Sequence, residues 1–363
     1  MAPEYKLIIR SPAGVKQAEL SDMAKLAYSD VVNAPGVCTF RVRGNSPVMQ
    51  YLIDKAQVEV WWRDGTAGIA WFQDFDGMIR DEESTAPDGI DLLTITAPGS
   101  LCQLGWRHNL YAAGTANKTA WTSAPAETIM KNLVTNNHTS AATVANGRDR
   151  EGGFADRTIT VQTNALGGAI LNWTNTRENV LSDLQALAAV AGGDFDLIKT
   201  GAATWDFRFY AGQRGTDRSA TVLFALERGN MAKPVLRRTR SSEATVAIVG
   251  GDGEGAARAI AVRTGPNYRT DNNIETFTDA RGATVAALNA KGDAALQERR
   301  EALFFSFEPL QTPSTLYGKH YFLGDLVSAR YRGVTMVLQV ASADIALEDD
   351  GGRSVKIGMR VHA

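Results

Sequence analysis

The chain has 363 residues, 44% hydrophobic and 21% charged, with a formal net charge of −2. That composition suits a folded protein with two or three domains and gives no global drive toward nucleic acid. Two cysteines, Cys38 and Cys102, are too few for a disulfide scaffold, and two unpaired thiols are expected. The opening "MAPEYKLIIRSPAGVK" lacks the basic start and apolar run of a signal peptide, and no apolar stretch reaches the ~18 residues of a membrane span. A soluble chain made in a cytoplasm is expected.

"YKLIIR" (Tyr5–Arg10) reads as a strand, and "LAYSDVVNAPGVCTFRVR" as a hairpin turning at Asn33-Ala34-Pro35-Gly36. Beyond the turn, Cys38, Phe40 and Val42 share one face while Val37, Thr39, Arg41 and Arg43 share the other. "SPVMQYLIDKA" predicts a short helix, with Ser46 as cap and Pro47 at its first position. "QVEVWWRDGTAGIAWFQDFDGMIR" predicts strands around an Asp64-Gly65 turn, and "GIDLLTITAPG" another strand. Residues 1–112 thus fit a β-barrel or sandwich.

The character then changes. "SAPAETIMKNLVTNN" places Ile129, Leu133 and Val134 at helical spacing, and a polar loop follows from Asn136 to Asp156. "TRENVLSDLQALAAVAGG" is the clearest helix: Val180, Leu184, Leu187 and Val190 form a stripe, Thr176 can cap it, and Gly192-Gly193 ends it. "DFDLIK" and "TWDFRFYA" read as paired strands, so residues 113–228 look like a small α+β domain. From 229 to 363 β-structure returns, interrupted near 283–301 by a helix with Val285, Leu288 and Leu296 on its stripe and Gly292 as a weak point. Later turns are expected at Tyr331-Arg332-Gly333 and Asp349-Asp350-Gly351-Gly352. Val334, Met336, Leu338 and Val340 share a strand face.

Chemistry is sparse. His108, His138, His320 and His362 fall in no metal-ligand spacing, and no G-x-S-x-G occurs. Paired acids occur at Asp74/Asp76, Asp81/Glu82/Glu83, Asp252/Glu254 and Asp349/Asp350. A glycosidase needs two carboxylates across a cleft, whereas adjacent acids at turns are usually solvated. "RRTR" (Arg237–Arg240) with Lys233 reads as a phosphate patch or as an edge strand guarded by charge. "VEVWWRDGTAGIAWF" reads as a stacking platform or as strand-face core. "AIVGGDGEGAAR" (Ala247–Arg258) lacks the lysine of a phosphate loop, and strand alternation follows it. It predicts a hairpin turn over Gly250–Gly255 with some glycines at φ > 0, and no helix starting at Ala256.

Pieces of the chain, in order, resemble the baseplate hub or tail-associated (Tal-like) proteins of long-tailed phages (siphophages). These are "NAPGVCTFRV", "DGMIR", "TRENVLSDLQALAAVAGGDFDL", "LERGNMAKPVLRRTRSSEATVAIVGGDGEGAARAI" with its G-x-G-E-G-x-x-R pattern, "NIETFTDARG", and "YFLGDLVSARYRG" with its Gly324-Asp325 step. Such hubs are similar to the central hub of contractile-phage baseplates. The resemblance implies a mainly β fold with α+β insertions: two tube-type antiparallel β-barrel domains (1–112 and 229–363) flanking or interleaved with the α+β domain. It implies a homotrimer that adapts a sixfold tail to a threefold tip, encloses the DNA exit channel and sits in the virion at the tail tip. Implied partners are the distal tail protein or tail tube, the tape measure protein, and separate tip or fibre proteins. Genomic DNA would pass without sequence-specific binding. The chain ends with its last strand, "VKIGMRVHA", so no lytic domain and no enzymatic activity are expected, and no cofactor or metal is expected. The competing readings are a cell-wall or polysaccharide hydrolase using Asp74 and Asp76, and a hub or spike of a related contractile injection machine.

Overall fold

The computed structural model describes residues 3–23, 25–109, 119–144, 152–154, 156–175, 178–281, 285–347 and 352–362. Contacts divide the chain into two compact units, residues 1–232 with 308–363, and residues 233–307. This differs from three consecutive domains, because strands from both ends of the sequence share one sheet.

The first unit opens with β1 (Glu4–Arg10), β2 (Lys16–Leu20), β3 (Lys25–Val31), β4 (Ala34–Arg43), β5 (Gln57–Asp64), β6 (Ile69–Met78), β7 (Asp81–Thr85) and β8 (Leu92–Pro98). It continues through β9 (Thr119–Pro125), α1 (Ala126–His138), β10 (Thr158–Val161), β11 (Ile170–Asn175), α2 (Val180–Ala191), β12 (Asp194–Gly201), β13 (Thr204–Tyr210) and β14 (Leu223–Ala225). The second unit holds most of β15 (Met231–Thr239), then β16 (Val246–Gly250), β17 (Ile260–Thr264), β18 (Glu275–Asp279), α3 (Val285–Glu298) and most of β19 (Ala302–Pro309). The chain returns to the first unit with β20 (Leu326–Tyr331), β21 (Val334–Leu347) and β22 (Arg353–Val361).

The fold is mainly β. One sheet has the order β2-β1-β5-β6, and a second, of eight strands, runs β14-β20-β21-β3-β4-β8-β7 with β22 on β21. Among the described residues no sheet closes on itself. Leu26, Phe40, Val60, Trp62 and Ile95 are fully buried, and Tyr28 of β3 meets Phe75 of β6 at a ring separation of 6.0 Å. The alternation read in β4 holds: Cys38, Phe40 and Val42 are buried while Val37 and Arg43 are exposed. Cys38 and Cys102 are unpaired and buried.

Several local expectations shift. The β3–β4 turn is Val32-Asn33, with Asn33 at φ 63°, and Pro35 and Gly36 already belong to β4. The residues after Ser46 form only a 3₁₀ turn, Pro47–Tyr51, and the Ser46 side chain does not cap it. Asp64 does end β5, with its carboxylate accepting from Ala67 N–H at 2.9 Å. The turn after β20 is Arg332-Gly333, both at positive φ, as a two-residue hairpin requires.

In the α+β part, α1 and α2 bury Ile129, Leu133, Val134, Val180, Leu184 and Leu187 with Phe195, Trp205 and Phe207 of β12 and β13. Val190 departs from the expected stripe and is 62% exposed. Thr176 lies outside the described residues, as does Asp349-Asp350-Gly351. The cap of α2 is Asn179, whose Oδ1 accepts from Leu181 N–H at 3.1 Å and Ser182 N–H at 3.3 Å. Gly192, left-handed at φ 69°, ends the helix as expected.

In the second unit α3 lies on the sheet β17-β16-β18, burying Leu288 and Leu296. The Val285 side chain lies outside what is described. Gly292 is a site of close approach, because a Cβ there would sit 2.6 Å from Arg263 Cγ. Capping and core packing set expected costs. Asn179→Ala should lower unfolding free energy by about 1 kcal/mol and Leu187→Ala by about 2–5 kcal/mol, measured by urea denaturation.

Candidate functional site

The densest polar contacts of the first unit gather around two buried acids, Asp194 and Asp325. They tie distant segments of the first unit together. Asp194, at the start of β12, is fully buried. Its Oδ1 accepts from Asn33 Nδ2 at 3.1 Å and Arg360 Nη2 at 2.6 Å. Its Oδ2 accepts from Arg214 N–H at 2.9 Å and Gln339 Nε2 at 2.6 Å. One carboxylate thus joins the β3–β4 turn, the α+β part, the loop after β13, and the paired strands β21 and β22.

Asn33 completes the junction: its Oδ1 accepts from Phe195 N–H at 2.8 Å, and its backbone carbonyl accepts from Gln185 Nε2 at 3.0 Å. Beside it stands Asp325, 3% exposed. Asp325 accepts from Thr216 N–H at 2.7 Å, Arg218 Nε at 2.6 Å and Phe322 N–H at 2.9 Å. Gly324 precedes it at φ 88°, where a Cβ would collide with the Arg214 side chain. Three segments that carry the resemblance, around Asn33, Asp194 and Gly324-Asp325, therefore meet at one place. Sequence reading flagged them without showing that they touch.

The loop over Gly250–Gly255 is a turn between two strands. It links β16 to β17 as an antiparallel hairpin, with Gly253 at φ 93° and Gly255 at φ 53°. A single 3₁₀ turn, Gly255–Ala257, replaces any longer helix. Arg258 folds back over the loop, donating to Gly251 O at 3.2 Å and to Asp279 Oδ1 at 2.8 Å. The arginine that ends the G-x-G-E-G-x-x-R pattern is thus a loop clasp.

The acids Asp74 and Asp76 are not brought together. A bulge in β6 leaves Asp74 as the extra residue between the partners of Val60 and Trp61. Asp74 accepts from Tyr28 Oη at 2.7 Å, Trp62 Nε1 at 3.1 Å and Tyr317 Oη at 3.3 Å. Asp76 instead accepts from Ser100 Oγ. Burial pushes both carboxyls above the usual carboxylate range, against these hydrogen bonds. Asp81, Glu82 and Glu83 form the exposed strand β7, and Asp252 and Glu254 are exposed in the hairpin loop. Among the described residues no cluster of His, Cys, Asp or Glu could hold a metal ion. His320 is occupied locally, its Nδ1 accepting from Leu316 N–H at 2.9 Å.

Of the tryptophans in "VEVWWRDGTAGIAWF", Trp62 is core, with Phe72 at 4.9 Å and the Arg353 guanidinium 3.8 Å over its ring. Trp61 is half-buried and donates to Glu59 at 3.1 Å. Trp71 lies under Lys6 at 4.8 Å and Arg63 at 5.1 Å. Burial pushes Glu59 up, but Arg10 and Lys199 outweigh it and hold the carboxyl below its ordinary value.

Residues 7–359 match the family model described as Siphovirus ReqiPepy6 Gp37-like protein. The chain belongs to the Siphovirus Gp37-like family. No curated protein matches it. The Gp37-like chain shares its fold with the 43 kDa tail protein of prophage MuSo2 from Shewanella oneidensis, at 13% identity and TM-score 0.55 over 99% of this chain and 98% of that one. Prophage tail protein gp18 from Listeria monocytogenes EGD-e matches at 12% identity and TM-score 0.53, over 98% and 94%. A chain of the Francisella PdpA–VgrG complex matches at 8% identity and TM-score 0.55, covering 99% of this chain and 58% of that one. The expected mainly β phage tail fold is thereby met. Among the described residues no helix is long and apolar enough to cross a membrane.

The junction and the acids give two expectations. Asp194→Ala leaves the buried Gln339 amide and the Arg214 N–H without their acceptor, while the half-exposed Arg360 can turn to water, and should lower unfolding free energy by about 1–3 kcal/mol, read by denaturant titration. Burial pushes Asp30 up to about 7, with Arg214 opposing, and burial together with Glu178 pushes Asp183 up to about 6. Carboxyls raised above the ordinary ~4 bind more protons when folded. Their contribution is complete below pH ~4 and is lost as pH rises through their folded values. Stability should therefore fall between pH 4 and 7, and Asp30→Asn should flatten that slope.

Proposed function

We propose that this chain is a structural virion protein, the trimeric baseplate hub at the distal end of a phage tail. Three copies, each supplying two tube-type β-domains, would adapt a sixfold tail to a threefold tip and enclose the channel through which DNA leaves. The observation that carries this reading is the fold shared with prophage tail proteins over nearly the whole length of both chains. The distal tail protein or tail tube, the tape measure protein and separate tip or fibre proteins would be its neighbours. DNA would pass without sequence-specific contact, in keeping with a net charge of −2.

A non-catalytic role fits the chemistry. Asp74 and Asp76 take different partners around a bulge, whereas glycoside hydrolysis needs two carboxylates flanking one bond. The likeness to a chain of a PdpA–VgrG complex keeps a hub of a contractile injection machine as the second reading. Gold-labelled antibody against the chain separates the readings. Label at the tip of long flexible tails is expected. Label on a contractile apparatus favours the second reading, and protein absent from particles contradicts both. Peptidoglycan zymography should show no clearing. Clearing abolished by Asp74→Asn or Asp76→Asn would overturn the structural role.

A further inference from the structure

Two strand edges of this chain carry opposite charge. β7 is the last strand of the eight-stranded sheet and pairs only with β8 among the described residues. All five of its residues, Asp81, Glu82, Glu83, Ser84 and Thr85, are exposed. At the other extreme, β15 and β19 form a ribbon of two strands that no third strand joins among the described residues. Along β15 the exposed residues Val235 and Arg237 share one face, while Lys233, left-handed at φ 47°, precedes them out of that alternation. Arg237 lies 5.8 Å over Phe304 of β19, itself 56% exposed. The neighbouring Arg238 and Arg240 pair with Glu301, and Arg240 also with Glu243, but β15 itself carries Lys233, Arg237 and Arg238 and no acid, so the strand has a positive charge of its own.

Open edges invite pairing, and a lone two-stranded ribbon gains stability from a partner. Here charge selects the partner. Acid against acid, or base against base, is repelled, so neither edge pairs with its own twin. An acidic edge against a basic one is attractive, and because the two lie on different parts of the chain, the contact between copies is head-to-tail. Such a contact closes into a ring when its rotation permits.

We propose that β7 of one copy docks on the face of the β15–β19 ribbon of the next copy that carries Arg237, with the acids Asp81, Glu82 and Glu83 meeting Arg237 beside Val235 and Phe304. Repeated three times, the contact closes the trimer, so the proposal rests on the trimeric hub reading above. Pro234 has no N–H to give, so side chains rather than an unbroken ladder carry the contact.

Paired cysteines test it in the full-length chain: Glu82→Cys with Arg237→Cys, since Cys38 and Cys102 are buried. Oxidation should give covalent dimers and trimers on a non-reducing denaturing gel. Bonds formed only within one chain, or none, overturn the proposal. Light scattering at low salt supplies the second arm. Glu82→Arg with Glu83→Arg should weaken assembly several-fold, as should Arg237→Glu, and the combined variant should recover it. A trimer indifferent to all these changes overturns the docking while leaving the trimeric reading standing. A wild-type chain that stays monomeric overturns both.

Discussion

The buried carboxylate of Asp194 is the constraint on which the first unit depends. A charge without water must be met by donors, and four segments distant in sequence supply them: Asn33, Arg214, Gln339 and Arg360. Satisfying that carboxylate fixes where the β3–β4 turn, the α+β part and the last two strands sit relative to one another. Apolar burial alone would tolerate sliding between such elements. A polar junction with directional bonds does not, because any shift leaves a buried group unpaired. Asp325 repeats the device nearby, holding the loop after β13 against β20.

Local features were legible in the sequence because their causes are local. The faces of β4, the stripe of α1, the hairpin at Gly250–Gly255 and the Gly192 stop follow from periodicity and from glycine's freedom at positive φ. The cap of α2 is Asn179, three residues beyond Thr176, because both side chains offer a capping oxygen and only the backbone geometry chooses between them. The extra residue in β6 was invisible for a similar reason: a bulge leaves no mark in alternation, yet it gives Asp74 and Asp76 different partners. That strands from both ends of the chain share one sheet depends on contacts hundreds of residues apart. Nothing in "NAPG", "GGDFDL" or "FLGD" says that these pieces touch.

The motifs that carry the family resemblance thus do architectural work. Asn33, Asp194 and Gly324-Asp325 lock a junction, and Arg258 clasps a hairpin loop. Charge directed outward lies at the strand edge of β7 and at aromatic–cation contacts such as those of Trp71 with Lys6 and Arg63.

An electron-microscopic image of the assembled particle, averaged along the tail axis, tests the central claim most directly. The account predicts density for three copies of this chain forming a closed ring with a central opening, directly below a sixfold tube. A ring of another order, or a tail tip from which this chain is missing, would contradict it.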